Sequence, residues 1–361
     1  MKPWLKTFRN SYTQLLLLVC AGCGTVTGNP GSGGNTNVTL IVWPQLSYQL
    51  PEELTGSTGL SLTTTSSLVA AEEPKSPHLM KKRPPPPYRS AKDCTSVLEC
   101  LAKRATIEIH GVEQIARRME DDSVNTLGSF TGKGPDGQIS GWIKQIGNDS
   151  MYKYEGVVCH FEKPVVYMRW NEEGTKVRAI RSHKSAPLDV VKKSSLMTEI
   201  VYSKTDQYEQ IEIFTHGPNY GAKDIERDGN HLTEVFWSKK FTDGQYLMKS
   251  TSDWQTNSDP NNLAADKYLS GQINSDKSGY FVEFRKDAPE CSNGFNENDP
   301  NLFSPQPNQP GWCIGRELQK REPTTYEKLQ EIAGSLTEVG IITSDQLKVV
   351  NFPTNAVCEQ N

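Results

Sequence analysis

A run of roughly twenty apolar residues, the length that crosses a bilayer as a helix, occurs nowhere in this chain. The apolar run near the N-terminus is only about 8 residues long. A basic excess is also missing. The 361 residues carry a formal net charge of -4, against the positive footprint expected of a nucleic-acid protein. Sequence-local catalytic signatures are absent as well: no G-x-S-x-G elbow, no H-E-x-x-H pair and no complete phosphate loop. Gly128-Ser-Phe-Thr-Gly-Lys133 has the wrong spacing for a phosphate loop and no hydroxyl after its lysine. Ser150 and Lys153 match a serine–lysine pair, but they enter a strand pattern and lack the Lys-Thr-Gly that should follow. Hydrophobic residues make up 35%, a low share whose deficit sits in the N-terminal quarter.

The first two dozen residues carry the sharpest signal. Lys2, Lys6 and Arg9 form a basic head, no Asp or Glu precedes Cys23, and Leu15-Leu-Leu-Leu-Val19 is the apolar run. A basic head, a short apolar run and small residues at its exit make a removable secretory signal. The terminal Ala21-Gly22-Cys23 resembles the bacterial lipobox, although Cys20 stands where that family usually has an aliphatic residue. The resemblance implies cleavage after Gly22 and a diacylglycerol on the Cys23 thiol. Gly24 stands where the family's inner-membrane retention signal has Asp, which implies the outer membrane. Loss of residues 1–22 removes three positive charges and no acids, taking the net charge from -4 to -7.

Eight cysteines are present; Cys20 leaves with the signal and Cys23 is acylated on this reading. The remaining six, Cys94, Cys100, Cys159, Cys291, Cys313 and Cys358, form an even set in an exported chain, which reads as disulfides. Cys291 and Cys313 flank a Pro/Asn/Gly-rich loop, and a bridge between them is the favoured pairing. The alternative joins Cys313 to Cys358 and Cys291 to Cys159.

Residues 23–89 read as a flexible stalk, Gly/Ser/Thr-rich and ending in Pro84-Pro-Pro-Pro87, and dispensable for folding. Within it, Val38-Thr-Leu-Ile-Val-Trp43 has strand character. Residues 90–123 repeat apolar residues at helical spacing, from Val97 and Leu101 to Ala116 and Met119, with Ser90 or Asp93 as cap and Gly111 as a break into two. Beyond them the pattern turns to β. The expected strands are 138–146, 151–161, 165–170, 175–181, 196–203, 208–215, 233–241, 245–252, 267–274 and 280–285. Turns are read at Asn171–Gly174, Asp228–Asn230 and Asp243-Gly244. Such closely spaced strands without interleaved helices predict an antiparallel meander. After a loop region over 287–323, Thr324-Thr-Tyr-Glu327 fits a capping box, and a short helix should run to about Val339 and stop at Gly340.

The fold class is therefore α+β: an N-terminal helix on a large curved antiparallel sheet or partly closed barrel, with a short C-terminal helix. The domains are signal 1–22, stalk 23–89 and globular domain 90–361. In layout alone this is similar to periplasmic lipid-carrier half-barrels of the LolA kind; no residue motif supports it and no role is carried over.

Metal and cofactor signals are weak. Asp224, Glu226 and Asp228 suggest a calcium loop, but Val235 stands at the position that must be a bidentate Glu. Glu297 and Asp299 lie in a segment better read as turns. Cys159 and His160 are strand neighbours on opposite faces, not convergent ligands. No cofactor, metal or catalytic residue is assigned. Aromatics such as Trp142, Tyr154, Tyr167, Trp170 and Phe284 lie on the strands as core or as a groove lining. The functional expectation is a non-enzymatic outer-membrane lipoprotein held by Cys23, binding an apolar ligand or lipid against the sheet. The second is a structural or protein-partner-binding module on a tether; the third is an enzyme whose site is assembled from distant residues.

Overall fold

The computed structural model describes residues 40–51, 54, 97–134, 137–160, 162–182, 196–218, 230–256, 263, 265–285, 296–299, 302–303, 314–317 and 334–358. All of them belong to one unit, Leu40–Asn361. Twelve strands follow the helix α1 (Val97–Asp121): β1 (Gly128–Gly134), β2 (Gly137–Gln145), β3 (Tyr154–His160), β4 (Lys163–Trp170), β5 (Lys176–Ser182), β6 (Met197–Lys204), β7 (Tyr208–Pro218), β8 (Asn230–Phe241), β9 (Tyr246–Thr256), β10 (Lys267–Ile273), β11 (Gly279–Arg285) and β12 (Ile314–Glu317). Each pairs antiparallel with its chain neighbours, so the sheet order is the sequence order. The predicted meander and the α+β class are what the chain forms. The sheet is open, with β1 and β12 as its edges.

The expected turns hold where they are described. Gly174 (φ +67°) and Gly244 (φ +91°) supply the left-handed backbone of the β4–β5 and β8–β9 hairpins. Connections 146–153, 171–175, 205–207, 242–245 and 274–278 lie on one rim, the short-turn rim. The opposite strand ends, such as Ser182 and Met197 of β5 and β6 and Thr256 and Lys267 of β9 and β10, form the other rim, here the long-loop rim after the longer sequence separations between them.

Alternation along each strand creates two apolar faces, and each is covered. On the helix face α1 buries Leu98, Leu101, Ala102, Ala105, Ile109, Val112, Ala116 and Met119. Gly111 does not break α1, contrary to expectation. A Cβ there would meet the Arg181 guanidinium at 1.9 Å, so glycine is what lets Arg181 lie across the helix. Arg181 Nη1 sits 3.6 Å from Glu108, and Arg104 pairs with Glu234 of β8.

The rest of the helix face corrects the stalk. Residues 40–51 and Leu54 are part of the folded core: Ile41, Trp43, Leu46, Tyr48, Leu50 and Leu54 are all buried. The segment has no ladder of its own, so it is a strap and not a strand. It runs across the strands near the short-turn rim. Trp43 stacks on Trp170 of β4 at 5.1 Å and donates to Val124 O (2.5 Å). Tyr48 donates to Ser238 of β8 (2.6 Å), and Tyr246 of β9 donates to Gln49 O (3.0 Å). Composition taken over the whole of 23–89 diluted this local alternation, and burial of two aromatics and four aliphatics offsets the ordering entropy that composition alone could not.

The opposite face, here the clasp face, is crossed in the other direction by residues 334–358. Residues 334–336 are helical, and Gly340 (φ +66°), whose N–H donates to Leu336 O (3.1 Å), stops the helix as expected. The chain then passes β9 and β10, where Thr251 donates to Ile342 O and Tyr268 meets Ser344 (2.9 Å). It ends over β2 and β3, where Trp142 donates to Val357 O (2.7 Å). There Cys358 is bridged to Cys159 of β3, with Cα atoms 5.8 Å apart. That bridge replaces the alternative pairing, which assigned both cysteines elsewhere. Cys291 and Cys313 lie outside the described residues, as does Cys23.

Candidate functional site

Several residues singled out by sequence are absorbed by structure. Cys159 is held in a disulfide, so no thiolate stands beside His160. Val235 is fully buried in β8. Ser150 lies in the β2–β3 connection, and Lys153 there pairs with Glu172. The Gly128–Lys133 stretch is an edge strand, not a phosphate loop. Glu297 accepts from the N–H (2.9 Å) and hydroxyl (2.7 Å) of Ser344, so it fixes the C-terminal strap. Trp142, Tyr154, Tyr167, Trp170 and Phe284 are core residues.

What remains is built by register on the clasp face. The C-terminal strap covers a row that includes Trp142, Tyr167, Phe214 and Tyr268, toward the long-loop rim. The next row toward the short-turn rim places Lys144, Glu155, Arg169 and Arg178 directly opposite one another on β2, β3, β4 and β5. It continues through Val201 to Glu212, Trp237 and Lys249 on β7, β8 and β9. Six strands supply its charges.

The charges are layered. Glu155 is 2% exposed at its side chain and is approached by Lys144 (2.8 Å), Arg169 (2.7 Å), Tyr167 (2.7 Å) and Asn355 (3.1 Å). Glu199 is 5% exposed beneath Arg178 (2.6 Å) and Lys348 (2.7 Å). The cations above them are much more open: Lys144 is 42% exposed, Arg178 40% and Lys348 41%. Carboxylates are thus inside and cations outside. Burial alone would raise the Glu155 carboxyl, but the hydrogen bonds from Lys144, Tyr167 and Arg169 outweigh it and hold it below its ordinary range.

Aromatic rings hold the cations in place. Lys144 lies over Trp142 (4.8 Å), Lys249 over Trp237 (4.8 Å), Lys348 over Phe214 (3.5 Å) and Lys239 over Tyr208 (3.8 Å). Burial raises the Glu212 carboxyl, with Lys348 and Lys249 only partly opposing it, and burial lowers Lys249. The chemistry this layout can perform is recognition of anionic groups: preordered donors face solvent, and their counter-charges are already buried. Among the described residues no group of three His, Cys, Asp or Glu converges as a metal site.

Sequence reasoning did not find this row, because its members lie far apart in the chain and only strand register aligns them. The signal available was alternation of Lys, Arg and Glu with aromatics on the same strands. No protein-family model matches this chain, and neither a curated protein nor a solved structure matches it.

Proposed function

We propose that the chain is an exported, non-enzymatic module, acylated at Cys23 and held at the outer membrane, that binds a protein partner carrying exposed carboxylates. The observation that carries the reading is the layered charge of the clasp face, with open cations above buried Glu155 and Glu199. In a chain of net charge -4, a cationic face is not background. Half-buried Trp237, Tyr208 and Tyr280 among the cations give the Tyr/Trp/Arg character of a protein interface. The Ala21-Gly22-Cys23 signal supports the anchor.

An apolar ligand between helix and sheet is less well supported, because eight apolar side chains of α1 and six of the N-terminal strap are buried in that space.

The test uses the mature full-length chain with Cys23→Ser, titrated calorimetrically with hexaglutamate. Binding is expected at low salt and its loss at high salt. Lys144→Ala with Lys239→Ala should weaken it about tenfold, or ~1.4 kcal/mol, with a cooperative melt retained at a lower temperature because buried Glu155 loses one of its donors. Absence of binding at low salt, or indifference to the two substitutions, removes the proposal.

A further inference from the structure

Exposed large apolar side chains are few among the described residues, and they are not scattered. Leu40 is 65% exposed, Val42 64%, Leu127 47% and Met151 50%; the fifth, Val357, lies at the far end of the C-terminal strap. Ile41 N–H donates to Asn125 O (2.8 Å), which sets Leu40 and Val42 beside the stretch leading to Leu127. Trp170 Nε1–H donates to Val42 O (3.0 Å), and Lys153 N–H donates to Trp170 O (2.9 Å). Met151, two residues before Lys153, is thereby on the same end of the short-turn rim. The four residues thus share the β1 to β4 end of the short-turn rim, here the apolar corner.

Two observations say what covers it. The first is place: the corner begins at Leu40, only 17 residues after Cys23, a span of at most about 60 Å when fully extended. The second is charge. Lys153 is paired with Glu172 and Arg169 with Asp149 (3.6 Å), so this end of the rim carries no single-sign field. A charge-balanced apolar corner next to the tether suits a neutral lipid surface better than the acidic partner proposed for the clasp face.

We infer that Leu40, Val42, Leu127 and Met151 insert into the surface of the bilayer and seat the domain on it. The inference rests on the lipid-anchor reading for its geometry, but its test does not need the anchor. The mature full-length chain with Cys23→Ser is sedimented with neutral phosphatidylcholine vesicles. It should partition onto them, and Leu127→Ser with Met151→Ser should lower the partition at least tenfold at an unchanged melting temperature. Leu40→Ser with Val42→Ser, on the other side of the corner, should do the same, whereas Lys144→Ala on the clasp face should have no effect. Failure to bind neutral vesicles, or binding that survives both apolar pairs, overturns the inference; a corner made for a protein would give the first of these results. Lipid labelling of the chain with Cys23 intact is read separately, so a missing acyl group and a non-inserting corner are told apart.

Discussion

The two straps solve the same problem by different physics. Each covers one apolar face of the sheet, and each crosses strands distant in sequence. The N-terminal strap is held by burial: Trp43, Leu46 and Tyr48 are 3% exposed or less, and its contacts to the core include aromatic N–H and O–H groups meeting backbone or serine oxygens. The C-terminal strap also buries Leu336, Ile342 and Val350, but adds charge and a covalent clasp: Lys348 on Glu199, Asn355 on Glu155, and Cys358 on Cys159. The first should respond to the loss of apolar surface, and the second to redox state and pH.

The largest expected effect is on the N-terminal strap. Deleting residues 24–54 exposes Trp170 and the row beneath it and should abolish the cooperative melt. Trp43→Ala alone should cost ~3–5 kcal/mol by urea titration. If the deletion melts like the full chain, the strap is mere decoration and the comparison fails.

Opening the clasp comes next. The Cys159–Cys358 bridge closes 199 residues, for which the chain-entropy argument gives up to about 5 kcal/mol. Cys358→Ser should lower the melting temperature while a cooperative transition persists, because Lys348 and Asn355 still hold the strap. Reducing agent should lower the wild-type melt by more than that of the Cys358→Ser, Cys159→Ala chain, in which this bridge is already absent.

The smallest effect separates two carboxylates of one face. Glu155 is held low, so its stabilisation is fully present above the unfolded value and is lost as pH falls through the folded one. Glu212 is raised by burial, so the folded chain holds its proton more tightly than the unfolded chain does. Stability attributable to Glu212 therefore falls as pH climbs from the ordinary glutamate range through its raised value. Glu212→Gln should raise the melting temperature at neutral pH and remove that slope, whereas Glu155→Gln should lower it. Equal and opposite results in a thermal pH series would reverse the assignment.

How far the sequence was legible follows the same division. Ten strands were readable because each central strand is backed by two neighbours and keeps its alternation. The two that were missed, β1 and β12, are the edges. β1 has Gly128, Gly132 and Gly134 and a single large apolar residue, Phe130. β12 is four residues, Ile314–Glu317, inside a stretch read as loop. An edge strand has one partner and little to bury, so its pattern is weak. The N-terminal strap reads as stalk although its signal is present, Ile41 and Trp43, then Leu46, Tyr48 and Leu50, each two apart, because Pro44 shifts the phase between the sets. The candidate site was not legible, because Lys144, Glu155, Arg169 and Arg178 meet only once register is fixed.

The meander has a consequence for the order of assembly. Every hairpin joins neighbours in the chain, so the sheet can grow strand by strand as synthesis proceeds. The N-terminal strap cannot follow that schedule. It is made first, yet its seats reach to Ser238 and Tyr246, separated from Tyr48 and Gln49 by 190 and 197 residues. Until β9 exists, Trp43 and its neighbours have nowhere complete to go, and the growing chain carries an exposed apolar segment at its leading end. A holding factor that takes such segments during synthesis would therefore meet this protein at its N-terminal strap first and release it only when most of the sheet is in place.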